Sequence, residues 1–124
     1  MARILIVDDE VKIVRLLAGL LEPHGFDVLT ALHGEEALVL LAMHRPEVLL
    51  LDLHLGGQGM SGLDVLREAR TVSAATRVIV VSAYPQETTR EDTLRLGAFR
   101  YLEKPLDVRA VLSVVRETLT PHRS

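Results

Sequence analysis

The chain has no cysteine, only two lysines and few aromatic residues, 3% of the total. Without cysteine there are no disulfides and no thiol chemistry. With so few rings, the core must be filled by Val, Leu, Ile and Ala. No stretch approaches the ~20 apolar residues of a membrane-spanning helix. The first apolar run is broken after Ile4–Val7 by Asp8, Asp9 and Glu10, so the start reads as no signal peptide and the default expectation is a cytoplasmic protein. A basic surplus is also missing. The formal net charge is -3 with the signs interspersed, which argues against direct nucleic-acid binding. What is present is 48% hydrophobic residues in 124, enough for one domain with a real core.

Four apolar runs each end on a group that can handle phosphate or a metal. Ile4–Val7 ends on Asp8-Asp9, Val48–Leu51 on Asp52, Val78–Val81 on Ser82, and Phe99–Glu103 on Lys104-Pro105. Short runs of this kind between helical patterns read as buried parallel strands. Five β-α units follow in order. Strands are expected over 3–8, 26–30, 48–52, 78–82 and 99–103. Helices are expected over 10–22, 34–44, 63–70 and 86–96, with a fifth from about Asp107. A glycine-rich loop, Leu55 to Gly62, leads into the third helix. Pro23-His24-Gly25 stops the first helix and Gly97 the fourth.

Strands 2 and 5 carry Asp27 and Arg100, and charge is a common protection at sheet edges. With right-handed crossovers the order becomes 2-1-3-4-5, a flavodoxin-like doubly wound sheet. The expected organisation is a single domain over 1–120, with 121–124 a tail or the start of a linker. Ligands in such sheets sit beyond the carboxyl ends of the strands. Asp8, Asp9 and Asp52 therefore meet where the strand order reverses.

Two carboxylates about 5 Å apart repel by roughly 3 kcal/mol at an effective dielectric of about 20. A third worsens this, so either one is protonated or a cation neutralises the cluster. Mg²⁺, or Mn²⁺, suits such hard oxygen donors. Asp8-Asp9 are equally well explained as helix caps. Asp52 reads as a turn-forming aspartate or as a carboxylate nucleophile. Ser82 reads as a backbone-bonded serine or a donor to a phosphoryl oxygen. Lys104 reads as a snorkelling lysine or a positive charge on the same oxygens.

The ordered set Ile6-Val7-Asp8-Asp9-Glu10, Leu51-Asp52-Leu53, Val81-Ser82-Ala83, Leu96-Gly97-Ala98 and Tyr101-Leu102-Glu103-Lys104-Pro105 resembles the CheY-like receiver domain of two-component response regulators. The resemblance runs from about Arg3 to Leu119. It implies that Asp52 accepts a phosphoryl group from a histidine kinase or a histidine phosphotransfer protein. Asp8, Asp9, Asp52 and the backbone carbonyl of His54 would hold Mg²⁺. Ser82 would be the switch hydroxyl, Ala83 the small residue beside it, and Tyr101 the switch aromatic that turns inward. Lys104 would pair with the phosphoryl group, or with the carboxylates at rest, next to a proline bond that is often cis. The protein would be a phosphoacceptor switch, not an enzyme acting on other molecules. Its helix 4, strand 5 and helix 5 surface would change on phosphorylation and act on an output domain or downstream protein, with no membrane partner.

Three departures from the family pattern stand out. The segment 55–62 lacks the usual proline and is about two residues longer, with Gly62 ten positions after Asp52. Arg100 replaces an acid common on strand 5, so the resemblance does not carry over the family dimer through that face. His54 and Tyr84 occupy the positions that tune phosphoryl lifetime, and both are bulky; they either hinder water or face solvent. Two other functions fit the same pattern. A flavin carrier would want phosphate-binding backbone donors after strand 1, where this chain has three acids. An atypical receiver would act as an interaction module without phosphorylation.

Overall fold

The computed structural model describes residues 2–57, 59–83 and 87–120, without the side chains of 87–89. The expected start of helix 4 at Gln86, Tyr84 and the tail lie outside the described residues. Five strands form one parallel sheet: β1 (Arg3–Val7), β2 (Asp27–Ala31), β3 (Val48–Asp52), β4 (Arg77–Ser82) and β5 (Arg100–Glu103). Their order is β2-β1-β3-β4-β5. Five helices connect them: α1 (Val11–Leu21), α2 (Gly34–His44), α3 (Gly62–Val72), α4 (Glu87–Arg95) and α5 (Val108–Leu119).

Alternation along each strand divides the core between the two faces of the sheet. Leu5, Val7, Leu49, Leu51, Val78 and Val80 pack with Leu41 of α2 and Val65 and Leu66 of α3. Ile4, Ile6, Val48, Leu50 and Ile79 pack on the other face with Val14, Leu17 and Leu21 of α1 and Val111, Val114 and Val115 of α5. The three inner strands are buried almost throughout, as their unbroken apolar runs require. Charge lies at the edges as expected. Asp27 on β2 accepts from Arg3 Nε at 2.9 Å, and Arg100 on β5 donates to Glu117 of α5 at 2.6 Å.

The stop signals act through backbone geometry. A short 3₁₀ turn over Glu22–His24 closes on Gly25 at φ 89°, a left-handed conformation suited to glycine. Gly97 does the same after α4 at φ 105°. Most elements begin or end within one residue of the expectation, and α3 departs at both ends. α3 begins at Gly62, where Ser61 forms a capping box with Asp64, and runs to Val72, where the Ser73 N–H closes it on Ala69 O. Ser61 Oγ accepts from the Asp64 N–H, and the Asp64 carboxylate accepts from the Ser61 N–H, both at 3.1 Å.

Candidate functional site

Parallel strands that end together at one rim bring their following residues together. Asp8 stands one residue beyond β1, its N–H still donating to Ala31 O at 3.2 Å. Asp52 is the last residue of the adjacent β3, and Ser82 the last of β4. Lys104 follows β5, and its N–H donates to Ser82 O at 2.8 Å. The strand order thus gathers groups separated by up to 96 positions.

Ligand oxygens of Asp8, Asp9 and Asp52 lie within 4.8 Å of one another. Asp8 and Asp52 are 3% and 4% exposed, whereas Asp9 is exposed. Lys104 Nζ donates to Asp8 Oδ2 at 3.0 Å and lies 3.5 Å from Asp52 Oδ2. Backbone donors take part of the remaining charge. Asp8 Oδ1 accepts from the Glu10 N–H at 2.9 Å, Asp52 Oδ1 from the His54 N–H at 3.1 Å, and Asp9 Oδ2 from the Gly56 N–H at 2.9 Å. Asp8 does not cap α1, whose N-cap is Glu10 with no side-chain cap bond; one Asp8 oxygen holds the turn before the helix and the other faces Lys104.

Burial pushes the Asp52 carboxyl above its ordinary range. The His54 N–H opposes this, Asp8 adds to it, Lys104 opposes it and Asp9 adds to it. For Lys104, burial disfavours the ammonium, but the hydrogen bond to Asp8 and the charge of Asp52 outweigh it, and its pKa is raised. Three hard oxygen donors around one point suit an octahedral divalent cation that keeps several waters.

The lysine–proline bond at 104–105 is cis. Tyr101 is half-buried with its ring packed against the core on the α2–α3 face. Its hydroxyl is buried and has no hydrogen-bond partner. Gly62 is the tight point of the rim. A Cβ there would stand 2.5 Å from both Leu53 Cα and Leu53 O, and 2.6 Å from Asp52 O. The glycine ten positions after Asp52 therefore serves the close approach of α3 to β3.

Two relationships were not anticipated from sequence. Glu35, at the start of α2, accepts from the Met60 N–H at 2.7 Å, and this holds its carboxyl below the usual range. Together with Asp9 it fastens the glycine-rich loop at two backbone positions. His54, although an exposed residue, places Nε2 3.0 Å from Ser82 Oγ. No local pattern signals either contact, because the partners are 25 and 28 positions apart.

A five-stranded parallel sheet of this order, with an acidic cluster and a lysine at its switch point, defines a flavodoxin-like domain built around a charged rim. The family model of the response regulator receiver domain matches residues 4–116, and the chain belongs to that family. It is 36% identical to protein PilH of Pseudomonas aeruginosa, over 96% of this chain and 98% of that protein. It is 38% identical to the regulatory protein AtoC of Escherichia coli over 94% of this chain, but spans only 25% of AtoC. Among solved structures, a response regulator protein from Burkholderia pseudomallei, crystallised with a phosphorylated aspartic acid, a calcium ion and citrate, superposes with a TM-score of 0.84. The two are 30% identical, over 94% of this chain and 72% of that one.

Proposed function

We propose that this receiver domain is a signalling switch that accepts a phosphoryl group on Asp52. The observation that carries the reading is the cluster itself. Asp8, Asp9 and Asp52 have ligand oxygens within 4.8 Å, and Lys104 faces two of these carboxylates. The phosphorylated aspartate and calcium ion of the Burkholderia relative support it.

Asp8, Asp9, Asp52 and the carbonyl of His54 would hold Mg²⁺ or Mn²⁺. The bound cation would supply charge neutralisation for the incoming phosphoryl oxygens. The protein's own groups do the rest. An Asp52 oxygen attacks phosphorus as the donor's P–N bond breaks, and the electron pair stays on the donor imidazole, which takes a proton. Lys104 pairs with the phosphoryl oxygens, and Ser82 turns its hydroxyl to one of them. Charge of about -2 then resides at Asp52. Tyr101 couples that change to the surface of α4, β5 and α5, as a shift between two populations.

The donor is a histidine kinase or a histidine phosphotransfer protein, and the recipient of the signal an output domain or a downstream protein. The chemistry is confined to the domain's own phosphorylation and dephosphorylation. His54 and Tyr84 lengthen the phosphoryl lifetime by hindering in-line water, and Tyr84→Ala should speed phosphate loss. The deciding experiment is incubation with acetyl phosphate and Mg²⁺, followed by intact mass. A phosphoryl mass gain that Asp52→Asn abolishes supports the reading. Absence of any gain in the wild type favours a phosphorylation-independent interaction module.

A further inference from the structure

We propose that Gly56 is a positioning residue for Asp9, holding that carboxylate ready for the cation of the acidic cluster. The proposal rests on the reading of Asp8, Asp9 and Asp52 as a metal site. Asp8 and Asp52 are buried, and both are restrained by Lys104 and by the N–H groups of Glu10 and His54. Asp9 is exposed and lies outside the reach of the lysine. Among the described residues its carboxylate makes one hydrogen bond, with Oδ2 accepting from the Gly56 N–H at 2.9 Å. The least restrained ligand of the three is thus held by the glycine-rich loop.

Position 56 also tolerates no side chain without moving that ligand. A Cβ there would stand 2.7 Å from Asp9 Oδ2. The contact is with the tip of a side chain, not with backbone as at Gly62, so the carboxylate can swing aside at little cost to the fold. What it gives up in swinging is the place of a ligand oxygen. An ionised carboxylate has about four lone-pair sites, so the Gly56 N–H and a cation can share it. Ordering an exposed side chain before its partner arrives removes that ordering from the cost of binding. The loop is steadied beyond Gly56 as well, where the Glu35 carboxylate accepts from the Met60 N–H at 2.7 Å.

The test titrates the full chain with Mn²⁺ and reads the free ion by electron paramagnetic resonance, with urea denaturation in chelator alongside. Gly56→Ala is made with Asp9 and with Asp9→Ala. Expected are a roughly fivefold weaker affinity in Gly56→Ala, the worth of one hydrogen bond, at an unchanged urea midpoint. No further loss from Gly56→Ala is expected once Asp9 is alanine. An affinity of Gly56→Ala equal to that of the wild type overturns the proposal. So does a loss that persists without the Asp9 carboxylate, which would mark a route other than this ligand. A second measurement leaves position 56 intact. In the metal-free chain Asp9→Ala should speed amide exchange at Gly56, and unchanged exchange also overturns the proposal. A wild type that takes up no Mn²⁺ would instead remove the metal reading, and the proposal with it.

Discussion

Lys104 donates to Asp8 at 3.0 Å across 96 positions of sequence, with the lysine side chain 15% and the aspartate 4% exposed. Deleting one partner of such a pair leaves the other charge buried and uncompensated. Lys104→Met should destabilise the metal-free domain by about 2 kcal/mol, less than a fully buried pair because the ammonium retains some water. Added Mg²⁺ should then raise the melting temperature of the variant more than that of the wild type, since the cation takes over the ammonium's electrostatic part. Equal shifts in a thermal melt would show that Lys104 does not neutralise the cluster.

Asp52 gives the domain a pH dependence of defined sign. Its folded-state pKa lies above the ordinary 3.8, first through burial, against the His54 N–H, and then through Asp8. The folded chain therefore holds this proton more tightly than the unfolded chain does. The Asp52 contribution to stability falls as pH rises from about 3.8 through the folded-state value, then levels off. Asp52→Asn, which cannot ionise, should melt above the wild type at neutral pH in chelator. The gap should close in acid. A gap that is constant with pH would place the effect outside ionisation.

Gly62→Ala tests the seam between α3 and β3. The added methyl meets the backbone of Asp52 and Leu53, at 2.5 Å from Leu53 Cα, and backbone cannot swing aside as a side chain can. Overpacking of this kind should cost about 3 kcal/mol in urea denaturation and slow labelling of Asp52. Unchanged stability would mean that the helix can back away freely.

Glu35→Ala removes the carboxylate that accepts from Met60. Glu35 is exposed, so the expected readout is local. Amide exchange at Met60 should accelerate while the β1 and β3 amides stay protected. Acceleration throughout the sheet would contradict a role confined to the loop.

Much of this architecture was legible in advance because one physical signal dominates it. Ile4–Val7, Val48–Leu51 and Val78–Val81 are unbroken apolar runs, and only strands covered on both faces accommodate them. Asp27 and Arg100 then marked the edges, and crossover handedness left one order. The acidic cluster followed from where the strands stop. The Ser61–Asp64 capping box was equally available at a spacing of three, and the expected start of α3 fell within one residue of the observed one. The partners of Glu35 and His54 were not available from spacing. Both depend on where a loop folds back in space, and no periodicity encodes that return.

Tyr101 carries a last consequence. Its ring is covered by aliphatic side chains, yet its hydroxyl is sealed from water without a partner. Swinging outward would hydrate the oxygen and strip the ring; swinging inward does the reverse. A stranded hydroxyl costs about 1–3 kcal/mol, and sheltering a large side chain returns about 1.5–3 kcal/mol. The two opposing amounts are of similar size, so the side chain proposed as the aromatic of the switch is held where it stands by only a small surplus.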